Sequence, residues 1–326
     1  MRRLLLTAAV TTAAALTLAA CGTSEPAEDK ADKASGAITL TDASGRKVKL
    51  DAPATKVVAT EWNVTESLAT LGVDPVGVAD VKGYKIWGSA VPLKNEPKDI
   101  GTRGEPSLDT VASLSPDLVV ATSDLPPAAL KQLRDIAPVL EVKSADGADQ
   151  IGRMFKNLDL IAKATGTTDK ARTARAGFEA KVTEGRKALA DADLAGTEIA
   201  FADGYVTSNQ VSLRPYTSAS LIGTVNERLG LKNAWKVKGD AAYGLGTTDV
   251  EGLTDLPKGT QFAYIGNDGD RSSNPFTGAL AKNAVWKSLA FVKAGDVHRL
   301  PDGIWMFGGP GSMEAYIDAV VDALTK

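Results

Sequence analysis

The sequence predicts an α/β protein of two Rossmann-like lobes joined by a single long α-helix. In the first half, short apolar runs such as KVVAT at 56–60 alternate with helical segments. The same alternation begins again with TEIAFADG at 197–204. Between the halves, 168–191 has no proline and only Gly177 and Gly185 as glycines, which favours one uninterrupted helix. Strands that alternate with helices indicate parallel sheets.

The N-terminus predicts export. Arg2 and Arg3 precede an apolar run at 4–18, which ends in the letters LAAC at Cys21. A basic start, a short apolar segment and small residues indicate a secretory signal at 1–20. The run is shorter than the roughly 20 residues of a membrane-spanning helix. LAAC also resembles the bacterial lipobox, which implies that Cys21 carries lipid; ordinary cleavage beside an incidental cysteine is the alternative.

Residues 21–37 are predicted to form a disordered tether, because they offer little apolar surface to bury. Cys21 is the only cysteine in the chain, so intramolecular disulfides and cysteine-rich metal sites are excluded. We therefore expect a body held by lipid on the extracytoplasmic face of a bacterial cell membrane.

The N-terminal lobe is predicted at 38–167, the interlobe helix at 168–191 and the C-terminal lobe at 192–326. In the interlobe helix, Phe178, Val182 and Leu189 fall near one face, and about 24 residues give a length of roughly 36 Å. The first predicted elements are a hairpin at 46–50, a strand at 56–60, a helix at 65–71 and a strand at 75–80, followed within 107–124 by a short helix and the strand DLVVAT at 117–122. A helix at 128–137 and a strand at 139–142 precede the interlobe helix. The C-terminal lobe has a strand at 197–204, a helix at 218–230, a helix and strand within 250–268, and a closing helix from 312.

Two segments repeat the same order of helix, proline and strand. They are SLDTVASLSPDLVVATSD at 107–124 and TDVEGLTDLPKGTQFAYIGND at 248–268. One gap aligns them and sets Asp109 opposite Glu251. The alignment indicates a weak internal duplication and hence two similar lobes.

Several kinds of chemistry are excluded by composition. His298 is the only histidine and lies in a predicted edge strand, so we expect neither a transition-metal site nor a Ser-His-Asp hydrolase. We find no P-loop and no dinucleotide-binding fingerprint. The net charge of −3 gives no indication of a nucleic-acid partner. We expect no catalytic residues, no metal ligands and no cofactor.

Aromatic residues and arginines lie in segments that follow predicted strands. Because ligands of open α/β sheets bind beyond the carboxyl ends of the strands, these segments should meet at one site. Arginine suits carboxylate or hydroxamate oxygens, and aromatic faces suit bulky ligands. Trp235 and Trp286 lie among apolar helical residues and are assigned to packing. The predicted ligand-binding residues are Trp62, Tyr84, Trp87, Arg103, Arg214, Tyr243 and Trp305.

Three motifs together resemble the class III substrate-binding lipoproteins of bacterial ABC importers, specifically the ferric-siderophore branch. They are EWNVTESLATLGVDPVGVAD at 61–80, GTRGEPSLDTVASLSPDLVVA at 101–121, and WMFGGPGS at 305–312. The resemblance covers almost all of the mature chain. It implies the class III fold of two α/β lobes bridged by one helix.

The resemblance implies roles for individual residues. Arg103 matches the arginine of a G-x-R-x-E-P segment that binds the iron-coordinating oxygens of hydroxamate siderophores. Trp87, Tyr243 and Trp305 match aromatic pocket positions, and Arg214 is similar to a cleft arginine of carboxylate-type members. A family tyrosine expected after the strand DLVVAT is missing, with Leu125 or a proline near its place.

The aligned acids Asp109 and Glu251 match the carboxylates that dock onto arginines of the permease in this family. Alternatively, both are ordinary acids in the first turn of a helix, where the helix dipole favours them.

The sequence therefore predicts a monomeric, lipid-anchored binding protein that delivers an iron(III)–siderophore, of hydroxamate type, to an ABC permease dimer. The siderophore alone would hold the iron. Alternatives are a ferric citrate or other carboxylate complex, cobalamin, or haem with Tyr243 as axial ligand. More distant alternatives are an envelope-associated hydrolase and a sensory or adhesive lipoprotein.

Overall fold

The computed structural model describes residues 36–208, 210–268 and 271–326. The predicted signal peptide, Cys21 and nearly all of the predicted tether lie outside these residues. Within the described part, no helix combines the length and apolar character needed to cross a membrane.

The N-terminal lobe contains a parallel five-stranded sheet and a separate antiparallel hairpin. The hairpin pairs β1 (Ile38–Thr41) with β2 (Lys47–Leu50). The sheet strands are β3 (Val57–Ala59), β4 (Gly77–Val78), β5 (Lys98–Asp99), β6 (Leu118–Thr122) and β7 (Val139–Val142). Their order is β5-β4-β3-β6-β7. Every residue of β3, β6 and β7 is buried, as expected for a parallel sheet covered on both faces.

Helices connect these strands. They are α1 (Trp62–Thr70), α2 (Val81–Trp87), α3 (Leu108–Ser113), α4 (Pro127–Arg134) and α5 (Gln150–Thr165). Side-chain caps fix several starts: Ser107 accepts from Thr110 N at α3, and Asp149 accepts from Gly152 N at α5. The helix α2 was not predicted, since the elements expected from the sequence include none between 80 and 107.

One helix, α6, spans Thr168–Asp191 and connects the two sheets along the chain. These are the residues at which the sequence predicts the interlobe helix. Its buried positions include Phe178, Val182 and Leu189. Phe178 packs edge-on against Phe155 of α5, with ring centroids 5.5 Å apart.

The C-terminal lobe has a second five-stranded sheet. Its strands are β8 (Glu198–Thr207), β9 (Gln210–Pro215), β10 (Lys232–Asn233), β11 (Gln261–Tyr264) and β12 (Val297–Arg299). The parallel order is β10-β8-β11-β12, and β9 pairs antiparallel with β8. The predicted two-lobe α/β architecture is thereby confirmed, but β9 was not predicted. Arg214 lies within β9 and not in a loop.

The remaining helices are α7 (Leu221–Arg228), α8 (Ala279–Lys282), α9 (Ala284–Ser288), α10 (Ala290–Ala294) and α11 (Pro310–Thr325). The predicted helix before β11 is a 3₁₀ helix, Glu251–Asp255. It corresponds to α3 before β6, and both strands lie between two neighbours in their sheets. Trp235 and Trp286 are buried, which confirms their assignment to packing.

A buried carboxylate links the lobes. Glu66 of α1 is fully buried and accepts hydrogen bonds from Ser312 N at 2.8 Å and from Ser312 Oγ at 2.7 Å. Ser312 lies in the first turn of α11, where backbone N–H groups lack partners within the helix. A Cβ at Gly308 would clash with the Glu66 carboxylate, so the glycines before α11 allow this approach. We call this the buried interlobe contact.

Candidate functional site

A cavity of about 540 Å³ opens between the two lobes. The N-terminal lobe contributes residues that follow β3, β5 and β6, so the site lies beyond the carboxyl ends of these parallel strands. We call it the cleft cavity. Its lining residues are Glu61, Asn63, Arg103, Gly104, Asp124, Arg214, Tyr243, Leu245, Trp305 and Phe307.

Arg103 is held in the cleft by an ion pair and two aromatic rings. Its Nη1 donates to Glu61 Oε1 at 2.8 Å. The guanidinium carbon lies 4.0 Å from the ring centroid of Trp62 and 5.3 Å from that of Trp305. The same Glu61 oxygen accepts from Trp62 N at 2.7 Å, at the start of α1. These contacts fix the guanidinium beside the cavity before any ligand arrives.

Arg214 is held by a bidentate ion pair. The register of β8 and β9 sets Asp203 directly opposite Arg214. Arg214 Nε donates to Asp203 Oδ1 at 2.8 Å, and Arg214 Nη2 donates to Asp203 Oδ2. Tyr216 OH also donates to Asp203 Oδ2, at 3.2 Å. Burial alone would lower the pKa of Arg214, but Tyr216 and Asp203 raise it above its usual value, so this guanidinium stays charged.

A chain of aromatic rings crosses the cleft. Trp62 meets Trp305 with ring centroids 4.8 Å apart, and Trp305 meets Phe307 at 5.1 Å. Phe307 continues to Tyr243 at 5.5 Å and to Tyr216 at 5.8 Å. The indole N–H of Trp305 is buried without a hydrogen-bond partner in the described part of the chain. These rings form a largely apolar wall of the cleft, in which the indole N–H of Trp305 is an unused hydrogen-bond donor.

An exposed hydrogen bond joins the lobes at the cleft. Tyr243 OH donates to the carboxylate of Asp124. Burial raises the pKa of Tyr243, and the hydrogen bond to Asp124 raises it further. The phenol is therefore neutral and donates to an anionic Asp124. We call this the exposed interlobe contact.

Trp87 borders a smaller cavity of about 200 Å³. Arg103, Arg214 and Trp305 line this side cavity as well as the cleft cavity. Trp62 also lines it, although only 4% of its surface is exposed. Six of the seven predicted ligand-binding residues are thus brought together.

Tyr84 is the exception. It is fully buried in α2, and its hydroxyl donates to the carbonyl oxygen of Val91 at 2.6 Å. Gly88 makes room for the ring, because a Cβ there would lie 2.7 Å from Tyr84 Cε2. Tyr84 therefore packs inside the N-terminal lobe and lines neither cavity, unlike the other predicted ligand-binding residues.

Three carboxylates at this site were not predicted from the sequence: Glu61, Asp124 and Asp203. Each acid follows or interrupts a buried apolar strand, in KVVATE, DLVVATSD and EIAFAD. Asp203 lies in the buried part of β8, where an unpaired charge is costly, so its place in the strand indicates a paired carboxylate. Phe307, two residues after Trp305, is undecided between core and site from the sequence alone, and it lines the cleft cavity in the structure.

The two acids predicted to dock the permease lie outside the cleft. Asp109 is exposed in the first turn of α3, and Glu251 is exposed at the start of the 3₁₀ helix. Glu251 borders a separate groove of about 570 Å³. These positions agree with the alignment of the two segments.

His298 lies in β12 at the edge of its sheet, and its ring pairs with Gln261 at 2.7 Å. Burial lowers its pKa. The described residues contain no group of three or more His, Cys, Asp or Glu side chains arranged to hold a metal ion.

Residues 57–219 match the sequence profile of the periplasmic binding protein family. The chain belongs to this family. The matched residues comprise the N-terminal sheet, α6 and the hairpin of β8 and β9, and so include Arg103, Asp203 and Arg214. The family is one of binding proteins, which agrees with a cleft built from paired charges and aromatic rings.

Relatives with similar sequences include bacterial proteins named for binding a siderophore or an iron(III) complex. A probable siderophore-binding lipoprotein of Bacillus subtilis is 26% identical over 306 residues, covering 91% of this chain and 90% of the relative. A Fe(3+)-citrate-binding protein of the same organism is 29% identical over 259 residues, covering 77% of this chain and 74% of the relative.

A solved structure confirms the fold. The siderophore-binding protein FhuD of Vibrio cholerae, bound to Fe3+–Desferal, superposes with a TM-score of 0.72 at 24% identity. The superposition covers 83% of this chain and 98% of that protein. The chain thus has the two-lobed fold that the sequence analysis predicted.

Proposed function

We propose that this chain is the substrate-binding protein of an ABC importer and captures an iron(III)–siderophore in the cleft cavity. The observation that carries the proposal is the cleft itself. Two pre-positioned guanidinium groups and a chain of aromatic rings surround a volume suited to a small organic ligand. The relatives that bind iron complexes support the same class of ligand.

In this proposal the siderophore supplies every iron ligand, and the protein recognises the organic shell of the complex. Arg103 and Arg214 donate to oxygens of the complex, while Trp87, Trp305, Phe307 and Tyr243 contact its carbon arms. Trp62 contributes by holding the Arg103 guanidinium against its ring. The chain itself would need no resident metal, no cofactor and no catalytic group.

Delivery to a permease dimer would use Asp109 and Glu251. Both are exposed, they occupy corresponding places in the two lobes, and neither lines the cleft. A carboxylate on each lobe could then pair with a basic residue of each permease subunit. Lipid on Cys21 would hold the protein at the extracytoplasmic face of the membrane, where the permease lies.

One experiment tests binding and delivery together. Equilibrium dialysis with ⁵⁵Fe–desferrioxamine B measures binding, and uptake of the same complex is measured in cells that express each variant. We expect Arg103→Ala to lose about 1–3 kcal/mol of binding free energy, since a charged hydrogen bond is left unmade. Asp109→Ala with Glu251→Ala should bind normally and fail in uptake.

Arg186→Ala is the matched control, because Arg186 is an exposed arginine of α6 that does not line the cleft. It should leave both readouts unchanged. Failure of the wild-type protein to bind any ferric siderophore would overturn the proposed function. Equal loss of binding in the Asp109 and Glu251 double variant would overturn the docking role alone.

A further inference from the structure

The charged groups of the cleft are already paired with one another. Among the described residues, the charged side chains that line the cleft cavity and the side cavity are Glu61, Arg103, Asp124, Asp203 and Arg214. Each guanidinium has its own carboxylate: Arg103 pairs with Glu61 and Arg214 with Asp203. Asp124 has a neutral phenol as its partner. The lining therefore carries one more negative charge than positive charge.

The two ion pairs are built to persist. Asp203 is 8% exposed and accepts from both Arg214 and Tyr216. An anionic ligand that drew Arg214 away would leave this carboxylate buried without its cation, which is strongly unfavourable. Glu61 is fixed by Trp62 N at the start of α1. Neither arginine is therefore free to neutralise an anion.

We infer that the cleft selects ferric complexes of zero or positive net charge and discriminates against anionic ones. This inference rests on the proposed function and names the ligand class of the same site. Three hydroxamates balance the charge of iron(III), so a ferric trihydroxamate is neutral. Three catecholates leave the complex with a charge of about −3, and ferric citrate complexes are also anionic. Such ligands meet the surplus carboxylate, and the described lining residues include no unpaired cation to offset it.

The arginines still serve a neutral ligand. Arginine carries several N–H donors, and the bond to Glu61 occupies only one nitrogen of Arg103. The remaining N–H groups can donate to hydroxamate or amide oxygens without breaking the ion pair. The unpartnered indole N–H of Trp305 offers one more donor. The site can therefore donate hydrogen bonds to a neutral complex, while its net negative charge weakens the binding of anionic complexes.

Asp124 is the residue placed to recognise a positive charge. It is exposed at the cleft, and its partner Tyr243 brings no charge of its own. An ammonium group on a siderophore arm would pair with Asp124 at this position. Because the pair would be exposed to solvent, we expect it to change affinity only about three- to fivefold.

The test is a charge series measured by equilibrium dialysis at low salt. The cationic probe is ferrioxamine B, and the neutral probe is N-acetylated ferrioxamine B, which carries a neutral acetamide in place of the ammonium. The anionic probes are ferric citrate and a ferric tris-catecholate. We expect ferrioxamine B to bind about three- to fivefold more tightly than its acetylated form, and both anions to bind at least about tenfold more weakly than the neutral probe.

Asp124→Asn should abolish the preference for ferrioxamine B over its acetylated form. Asp135→Asn is the matched control, since Asp135 is exposed at the end of α4 and away from the cavities, and the preference should persist there. High salt should also reduce the preference. The ratio of the affinities for ferrioxamine B and its acetylated form can be measured even if a variant binds both probes more weakly.

Anionic complexes that bind as tightly as the neutral probe would overturn the inference and leave the proposed function intact. An Asp124→Asn variant that keeps the wild-type ratio would overturn the role of Asp124. If none of the ferric complexes binds, the proposed function itself fails and the charge inference fails with it.

Discussion

Two contacts between the lobes depend on a carboxylate, and they differ in their access to water. In the buried interlobe contact, Glu66 is 0% exposed and accepts two hydrogen bonds from Ser312. In the exposed interlobe contact, Asp124 accepts from Tyr243 at the edge of the cleft. Water can replace Tyr243 as the partner of Asp124, but it cannot reach Glu66. The buried contact therefore fixes the two lobes together, whereas the exposed contact can exchange for a ligand.

The difference follows from the residues around each carboxylate. Glycines at 308, 309 and 311 bring the start of α11 close to Glu66 and exclude solvent. Asp124 lies exposed between β6 and α4 and lines the cavity of about 540 Å³. Because the buried interlobe contact holds the lobes together while the exposed one can exchange, we expect only a small movement of the lobes when a ligand binds.

The strongest test of this comparison is Glu66→Ala. The substitution leaves Ser312 N–H and Oγ buried without their acceptor and removes a packed side chain, so we expect the free energy of unfolding to fall by about 3 kcal/mol. Urea unfolding followed by tryptophan fluorescence measures the loss.

Glu227→Ala is the control for Glu66→Ala, because Glu227 is an exposed helical glutamate of α7. It should change the free energy of unfolding by no more than about 0.5 kcal/mol. If the two variants lose the same stability, the buried contact does not hold the lobes together.

The second test uses pH. Burial raises the pKa of Glu66 above its ordinary value of 4.5, and the hydrogen bonds from Ser312 and Gly309 oppose the rise without cancelling it. A carboxyl whose folded-state pKa is raised stabilises the fold most at low pH, and this stabilisation is lost as pH rises from about 4.5 through the folded-state pKa. Each pKa unit of separation corresponds to about 1.4 kcal/mol.

The substitution Glu66→Gln removes the titratable carboxyl, so comparison with the wild type isolates the contribution of Glu66 to the pH dependence of stability. The free energy of unfolding of the wild type, relative to Glu66→Gln, should decrease as pH rises from about 4.5 and level off once Glu66 is ionised in the folded state. Urea unfolding of both proteins across this range measures the difference. A difference that is constant with pH, or that grows in favour of the wild type, would contradict the assignment.

The contrast between α6 and Tyr84 shows what the sequence can predict. An uninterrupted stretch without proline determines a helix locally, so 168–191 was predicted to the residue. The burial of Tyr84 depends on space beside Gly88 and on the carbonyl of Val91, which are properties of the folded loop. Residue type alone does not say which face of a short helix meets the core.

For the cleft, too, the sequence predicted the location of the site but not how its side chains pair. Aromatic residues and arginines in segments after strands located the site, because the carboxyl ends of parallel strands share one edge. The pairing of Arg214 with Asp203 depends on the register of β8 and β9, and β9 was not predicted. The charge balance of the site therefore became visible only in the structure.

The smallest effect is expected at the exposed interlobe contact. Tyr243→Phe removes the hydroxyl that donates to Asp124 but keeps the ring that packs against Phe307. Because water can take the place of the hydroxyl, we expect the free energy of unfolding to fall by less than about 1 kcal/mol. Tyr205→Phe, at a tyrosine that is 46% exposed, is the matched control and should change it by no more than about 0.5 kcal/mol. A loss at Tyr243 as large as that of Glu66→Ala would mean that both contacts fix the lobes, and the exposed one would not be free to exchange for a ligand.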